Sequence, residues 1–297
     1  MPFADLKPQF IRQGPVEAEE LEQVRQQLHY AIFSLQALST AYAPFQQDWS
    51  HISFQWDRAR GGFVGQMIPG KTSSSRFALL VEKPTVLQLD GEGRDLLRSL
   101  SLNDVTLEDY RGWLRVGAME LGLNPKTLDF TLSKEIPAHE LSKGKPFHFE
   151  GTEKSLSELK HCYSNAHLFL ERIHQENPET SPVRCWPHHF DLATRFQFEL
   201  TGDSEPKKTL EMGLSPGDHY YATPYYYVTP SPFSMDLTLP PLPSGGFWRL
   251  DEWQGAVLPY EAVTKQSGCE TQFKAVCDFL ITTRQFGLHL LRAGQRG

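Results

Sequence analysis

The chain alternates long helical segments with groups of short extended segments, and this order occurs twice. Apolar residues recur at helical spacing in four segments. These segments predict helices over about Glu17–Ala41, about Leu107–Leu121, from Ser155 to near Asn177, and over about Thr271–Leu291. This alternation indicates an α+β protein.

Extended segments are predicted between these helices from runs rich in aromatic and β-branched residues. They are His51–Asp57, Phe63–Ile68, Phe77–Glu82 and Val86–Leu89 in the first half, and Cys185–Leu200, Leu210–Leu214 and Tyr225–Thr229 in the second. Gly202-Asp203 is a predicted turn, and Pro69-Gly70 and Pro216-Gly217 both suit the central positions of a type II turn. We therefore expect two similar halves, 1–123 and 152–297, each a helix, an antiparallel sheet and a helix. The polar segment 124–151 is expected to connect them.

An internal duplication is one explanation of this repeated order. Trp49-Ser-His51 resembles Trp186-Pro-His188, and both halves contain a Pro-Gly turn. The apolar alternation after the two tryptophans differs by one residue, which requires a β-bulge or makes the match accidental. Both interpretations stay open.

Charge and apolar content exclude several classes of protein. The 297 residues carry a formal net charge of −7, whereas a nucleic-acid-binding domain usually presents a basic face. No stretch is as long and apolar as a membrane helix, and the first residues lack a signal-peptide pattern. None of the four cysteines forms a C-x-x-C pair. We expect a cytoplasmic protein that binds neither nucleic acid nor membrane; its oligomeric state is left open.

The segment Cys185-Trp-Pro-His-His-Phe-Asp-Leu-Ala193 contains the strongest candidate site. In a strand, His189 and Asp191 would lie about 6.5–7 Å apart on one face, from a rise of about 3.3 Å per residue. Asp191 could then orient His189 as a general base. Alternatively, His188, His189, Asp191 and Asp218 could bind a divalent metal such as zinc or manganese, with His219 nearby. A purely structural role is the third interpretation, and we favour it for His188.

Aromatic residues further along the chain suggest a ligand-binding surface. Alternation places Tyr225 and Tyr227 on one face of a strand and Tyr226 on the other. Together with Trp186 they could line a pocket, although a packed aromatic core is the simpler explanation. Arg249 follows Trp248 and could bind an anion or stack on an indole ring. The prolines between 220 and 260 predict an ordered loop over the second sheet.

Five motifs occur in a fixed order from Trp186 onwards: WPHHFDLA, SPGD, PYYYVTP, LPPLPSGG and WQGAVLP. Together they resemble a bacterial family of proteins of unknown function. The resemblance covers about Trp186–Pro259 and implies no reaction or cofactor. In that family a histidine often follows the tryptophan where this chain has Arg249, which weakens a metal site and favours an anion pocket.

Three functions follow as hypotheses. The first is a small-molecule binding protein or enzyme for an anionic ligand, with its pocket in the C-terminal half around six residues: His189, Asp191, Asp218, Tyr225, Tyr227 and Arg249. The second is a metal-dependent hydrolase that uses the His-His-x-Asp motif. The third is a non-catalytic interaction protein whose proline- and aromatic-rich loop is the docking surface.

Overall fold

A computed structural model describes residues 3–134, 136–198, 208–233 and 238–293 of the chain. It has an α+β fold with two antiparallel sheets, as the sequence predicts. The chain forms two compact units. The N-terminal unit comprises Val16–Lys160 and Arg184–Phe190, and the C-terminal unit comprises Met1–Pro15, His161–Val183 and Asp191–Gly297.

The N-terminal unit contains one sheet and two helices of its own. The helices are α1 (Ala18–Tyr42) and α2 (Leu107–Glu120). The strands are β1 (Gln55–Asp57), β2 (Gly62–Val64), β3 (Ile68–Pro69), β4 (Ser74–Leu80), β5 (Thr85–Asp90) and β6 (Leu96–Ser101). Their order in the sheet is β1-β2-β4-β5-β6, and β3 pairs with β4 outside this path.

Helix α2 packs closely on this sheet because Gly117 has no side chain. A Cβ at Gly117 would lie 3.1 Å from both the Phe77 ring and the Gln88 side chain. The buried hydroxyl of Tyr110 donates a hydrogen bond to the carbonyl of Ala31, at 3.0 Å, and so joins α2 to α1. Thr106 caps the start of α2 by accepting a hydrogen bond from the Asp109 amide.

The C-terminal unit contains the second sheet. Its strands are β8 (Asp191–Phe198), β9 (Lys208–Ser215), β10 (Tyr225–Ser231), β11 (Phe247–Arg249) and β12 (Gly255–Pro259), in the order β11-β12-β10-β9-β8. A short α4 (Tyr260–Thr264) and a long α5 (Cys269–Ala293) follow. Helix α3 (Glu153–Glu176) passes from the first unit to the second at His161.

One face of the second sheet is covered by α5. The buried side chains of Leu210, Met212 and Val228 point to that face. Gly287 of α5 allows the closest approach, since a Cβ there would lie 2.5 Å from the Leu210 side chain. The opposite face carries Asp191, Glu211 and the tyrosines 225 and 227.

The first residues of the chain belong to the C-terminal unit through side-chain amides that pair with their backbone. Gln272 accepts from the amide of Gln13 and donates to its carbonyl, both at 2.8 Å. Asn165 does the same for Ile11 at 2.9 and 2.7 Å. Both amide side chains are buried. They satisfy the backbone hydrogen-bonding groups of Ile11 and Gln13, which lie in none of the described helices and strands.

Several predicted elements differ from the structure. The predicted strand Cys185–Leu200 is wrong, because the backbone turns between β7 (Arg184–Trp186) and β8. Residues 247–249 and 255–259, expected in a loop, are strands, and β6 was not predicted. The internal duplication is not confirmed. The predicted turn at Gly202-Asp203 lies outside the described residues, and none of the described helices is long and apolar enough to cross a membrane.

Candidate functional site

The segment Trp186–Phe190 forms a tight turn rather than a strand. The Trp186 carbonyl accepts hydrogen bonds from the amides of His189, at 3.2 Å, and Phe190, at 2.7 Å. Phe190 has a φ of +57°, in the left-handed region. The alternation that placed His189 and Asp191 on one strand face is therefore wrong. Asp191 starts β8 in the C-terminal unit, and His189 belongs to the N-terminal unit.

A buried histidine supports this turn. His29 of α1 donates from Nε2 to the Pro187 carbonyl at 2.8 Å, and its ring stacks on Phe190 with centroids 5.4 Å apart. Burial lowers the pKa of His29 to about 4, so the imidazole is neutral at pH 7. The neighbouring His188 and His189 rings lie 4.3 Å apart, and His189 is exposed.

In the C-terminal unit, Tyr227 joins two carboxyl groups. Its hydroxyl donates to Oδ2 of Asp191 and lies 3.2 Å from Oε1 of Glu211. Burial and the two carboxylates raise the pKa of Tyr227 well above its usual range, so the phenol keeps its proton. Glu211 also forms an ion pair with Arg195, whose side chain is half-exposed.

Gly213 makes room for this tyrosine. Gly213 lies opposite Tyr227 in the β9–β10 register. A Cβ at Gly213 would lie 2.6 Å from the Tyr227 hydroxyl and 2.7 Å from the Leu192 carbonyl. The Tyr227 ring can therefore cross β9 towards Asp191 only because residue 213 is glycine.

Asp218 holds the loop before β10. Its Oδ1 accepts from the amides of Tyr220, at 2.8 Å, and Tyr221, at 3.2 Å, while Oδ2 accepts from the Tyr225 hydroxyl at 2.5 Å. Burial, followed by the charge of Asp218, raises the pKa of Tyr225. Tyr225 and Tyr227 share a face, as predicted, with ring centroids 6.3 Å apart.

Arg249 lies among aromatic rings and already has acidic partners. Its guanidinium is 4.4 Å from the Tyr220 ring centroid and 5.9 Å from that of Trp253. It forms ion pairs with Asp251, at 3.4 Å, and Glu252, at 2.7 Å. A hydrogen bond to Tyr221 is the main reason that the pKa of Arg249 is raised. Stacking, one of its two predicted roles, is therefore present, and anion binding there stays a prediction.

The predicted metal site has no ligand cluster to support it. Within the described ranges, no group of three or more His, Cys, Asp or Glu side chains could hold a metal ion. The carboxylate of Asp218 is used by the loop and that of Asp191 by Tyr227. Zinc or manganese binding by His188, His189, Asp191 and Asp218 stays a prediction, as do the catalytic roles of His189 and Asp191.

A cavity of about 350 Å³ lies in the N-terminal unit, between the first turns of α2 and residues 130–132 and 141–144. Its apolar walls are Leu107, Phe130, Leu132 and Leu141, and its polar lining is Thr106, Glu108, Arg111 and Ser142. Phe147, three residues further along the chain, forms backbone hydrogen bonds with the residues just before α2. The Phe147 amide donates to the Val105 carbonyl and the Asp104 amide to the Phe147 carbonyl, both at 2.9 Å.

Most polar groups that line this cavity already have protein partners. Thr106 caps α2 through Asp109. The Ser142 hydroxyl donates to the His139 carbonyl at 2.7 Å. Glu108 forms an ion pair with Arg115 at 2.7 Å. These groups therefore have little free capacity for a charged ligand.

Arg111 is the exception. Its Nη2 donates to the Phe130 carbonyl at 3.1 Å, and its guanidinium lies 5.3 Å from the Phe130 ring centroid. Its buried Nε has no hydrogen-bond partner, and within the part of the chain that the structure describes no carboxylate lies at ion-pair distance. Burial lowers the pKa of Arg111, but an arginine side chain does not lose its proton near pH 7, so the guanidinium stays charged. The cavity wall thus contains a half-buried cation without a counter-ion.

Only a weak sign of this cavity is present in the sequence. Arg111 and Arg115 stand four residues apart on α2 and so share a helix face. Nothing in the sequence placed Phe130 against both guanidinium groups, because this contact depends on how an irregular segment folds back.

None of the family models, curated proteins or solved structures compared with this chain matches it.

Proposed function

We propose that this protein binds a small amphipathic anion, an apolar body with one carboxylate or phosphate group, in the cavity beside Arg111. The observation that carries the proposal is the guanidinium of Arg111 in the wall of this cavity, for which the described residues provide no carboxylate at ion-pair distance. A half-buried charge has lost part of its hydration, and for Arg111 the Phe130 carbonyl and ring replace only some of it. An anion would supply a counter-charge and charge-assisted hydrogen bonds to the guanidinium.

The size and lining of the cavity support a small ligand. Its volume of about 350 Å³ lies at the lower end of the range of about 300–1,000 Å³ that is usual for ligand sites. Leucine and phenylalanine are four of its nine lining residues, so an alkyl or aryl group would bury apolar surface against them. Glu108 at the rim is paired with Arg115 and therefore opposes an anion only weakly.

This site keeps the ligand class expected from the sequence and differs in location from the C-terminal pocket. In the C-terminal unit, Arg249 has two acidic partners, and the face around Tyr227 carries Asp191 and Glu211. An anion would meet like charge there. Among the described residues no carboxylate lies at ion-pair distance from Arg111, and the one carboxylate in the cavity lining, Glu108, is paired with Arg115. The N-terminal cavity is therefore the better site for an anion.

Calorimetric titration with octanoate tests the proposal. Arg111→Gln should weaken octanoate binding by about 10- to 100-fold, because a hydrogen bond to a charged group contributes about 1.5–3 kcal/mol. Arg115→Gln combined with Glu108→Gln is the matched control: Arg115 stacks on the same Phe130 ring, and removing it together with its partner leaves no unpaired carboxylate in the cavity lining. Equal losses in the two variants, or no octanoate binding by the unchanged protein, would refute the proposed function.

A further inference from the structure

Strand β6 forms an open edge of the N-terminal sheet. Among the described residues it pairs only with β5, in an antiparallel register that places Thr85 opposite Ser101 and Leu87 opposite Ser99. The Leu102 amide donates to the Pro84 carbonyl at 2.9 Å. Inward and outward backbone groups alternate along an antiparallel strand. The amides and carbonyls of Ser99 and Ser101 therefore point away from β5.

Little protects this edge from pairing with another strand. Edge strands commonly carry lysine, proline or a bulge that prevents such pairing. Here Ser99 and Ser101 are exposed and small, and the one charged residue, Arg98, is turned to α2. Its guanidinium pairs with Glu120 at 2.8 Å and lies 4.6 Å from the Trp113 ring centroid. The register shift between Gln88 and Leu89 affects only the start of β6.

Exposed apolar side chains accompany the open edge. Leu96 and Leu97 of β6 are 58% and 53% exposed, and Val116 and Met119 of α2 are 40% and 53% exposed. The Arg98–Glu120 ion pair shows that this end of α2 lies beside β6. Exposed apolar side chains along an open strand edge and on the helix beside it commonly mark a protein interface.

We infer that β6 is a dimerisation edge, at which β6 of a second copy of this chain pairs antiparallel around Leu100. In such a two-fold pair, Leu100 faces its own copy, and Ser99 faces Ser101 of the other chain in both directions. This register uses all the outward amides and carbonyls of Ser99 and Ser101. It also places Arg98 opposite Leu102, whereas a pair centred on Arg98 would set two like charges opposite each other.

Sedimentation equilibrium of the full chain and its variants tests this dimer. The unchanged chain should show the mass of two copies at high micromolar concentration. Ser99→Pro removes an outward amide and no bond to β5, so it should raise the dimer dissociation constant by about tenfold or more. Leu97→Lys should also weaken the dimer, whereas Phe45→Lys, at an aromatic side chain 65% exposed outside this edge, should not.

Disulfide formation tests the register itself. Directly opposed residues in a non-hydrogen-bonded pair have Cα atoms about 4.5 Å apart, within the about 4.4–6.8 Å that a disulfide spans. Leu100→Cys should therefore crosslink two chains under mild oxidation, and Leu96→Cys should not. Both changes are made with Cys269→Ser, since the other native cysteines are buried.

Two results would overturn the inference. One is a single-chain mass for the unchanged protein over the whole concentration range. The other is a dimer that survives both Ser99→Pro and Leu97→Lys, with circular dichroism showing that the variants are folded. That second result would mean that the copies meet through another surface.

Discussion

Gly213→Ala tests whether the Tyr227–Asp191 contact depends on the absence of a side chain at position 213. The new Cβ would lie 2.6 Å from the Tyr227 hydroxyl, 2.7 Å from the Tyr227 ring carbon Cζ and 2.7 Å from the Leu192 carbonyl. The first two atoms can move only if Tyr227 leaves Asp191. The third belongs to the backbone of the paired strand β8 and cannot move without disturbing the ladder.

The expected loss of stability has two sources, the overpacking at position 213 and the loss of the Tyr227–Asp191 hydrogen bond. Overpacking a well-packed interior costs about 1–3 kcal/mol. Displacing Tyr227 also removes the hydroxyl donor of the buried Asp191, which costs about 1–3 kcal/mol for a buried polar group that loses its partner. The two costs overlap, because one movement relieves the clash and breaks the hydrogen bond. We therefore expect the free energy of unfolding to fall by about 3 kcal/mol.

Urea denaturation followed by circular dichroism measures this change. Gly112→Ala is the matched control, because its Cβ would meet nothing within 4 Å in the middle of α2. Alanine there should raise the unfolding free energy by about 0.5–1 kcal/mol. Tyr227→Phe should lower it by about 1–3 kcal/mol through the hydrogen bond alone. A Gly213→Ala variant within about 0.5 kcal/mol of the unchanged protein, the range of ordinary surface changes, would refute this packing argument.

Two further predictions concern pH and the loop before β10. Because burial lowers the pKa of His29 to about 4 from about 6.5 in an unfolded chain, the unfolded state binds a proton that the folded state does not. The contribution of His29 to the free energy of unfolding should therefore fall by about 3 kcal/mol as the pH decreases from about 6.5 to about 4. Urea midpoints measured across this range should depend less on pH in His29→Gln than in the unchanged protein. The same pH dependence in both proteins would contradict this role of His29. Asp218→Ala should lower the unfolding free energy by about 2–3 kcal/mol, because Tyr220, Tyr221 and Tyr225 lose their acceptor. Asp218→Asn, which keeps a carbonyl for the two amides, should cost about half as much, and equal losses in the two urea curves would count against this role.

The long helices could be predicted from the sequence because their periodicity is regular. The predicted segments Glu17–Ala41 and Leu107–Leu121 agree with α1 and α2 to within one residue at each end. Each has a continuous apolar side that meets a sheet or another helix. Strand β10 was also predicted, with Tyr225 and Tyr227 on one face, because its run of aromatic and β-branched residues is uninterrupted.

The segment around the double histidine was misread because local alternation does not reveal a turn. Trp186, His188 and Phe190 alternate as they would in a strand, but Pro187 follows Trp186 and Phe190 takes a positive φ. The interaction that fixes this turn is the hydrogen bond from His29, which lies 158 residues away in the chain. A contact so distant in sequence leaves no local pattern.

The candidate ligand site shows the same limit. Arg111 lies on a helix that the sequence predicts, but the cavity exists because residues 130–132 and 141–144 lie against α2. Polar composition marked 124–151 as a connection and could not show that Phe130 packs under two arginines. The edge at β6 was missed for a related reason: Leu-Leu-Arg-Ser-Leu-Ser does not alternate regularly at its start, where the register shifts.

The central claim is that Arg111 binds the charged group of a ligand, and a thermodynamic cycle tests it most directly. Octanoate and the neutral octanol are titrated into the unchanged protein and into Arg111→Gln. If the guanidinium binds the carboxylate, the substitution should weaken the binding of octanoate by about 1.5–3 kcal/mol more than the binding of octanol. An equal loss of binding free energy for octanoate and octanol would contradict this role, because Arg111 would then contribute to the cavity wall and not to anion binding.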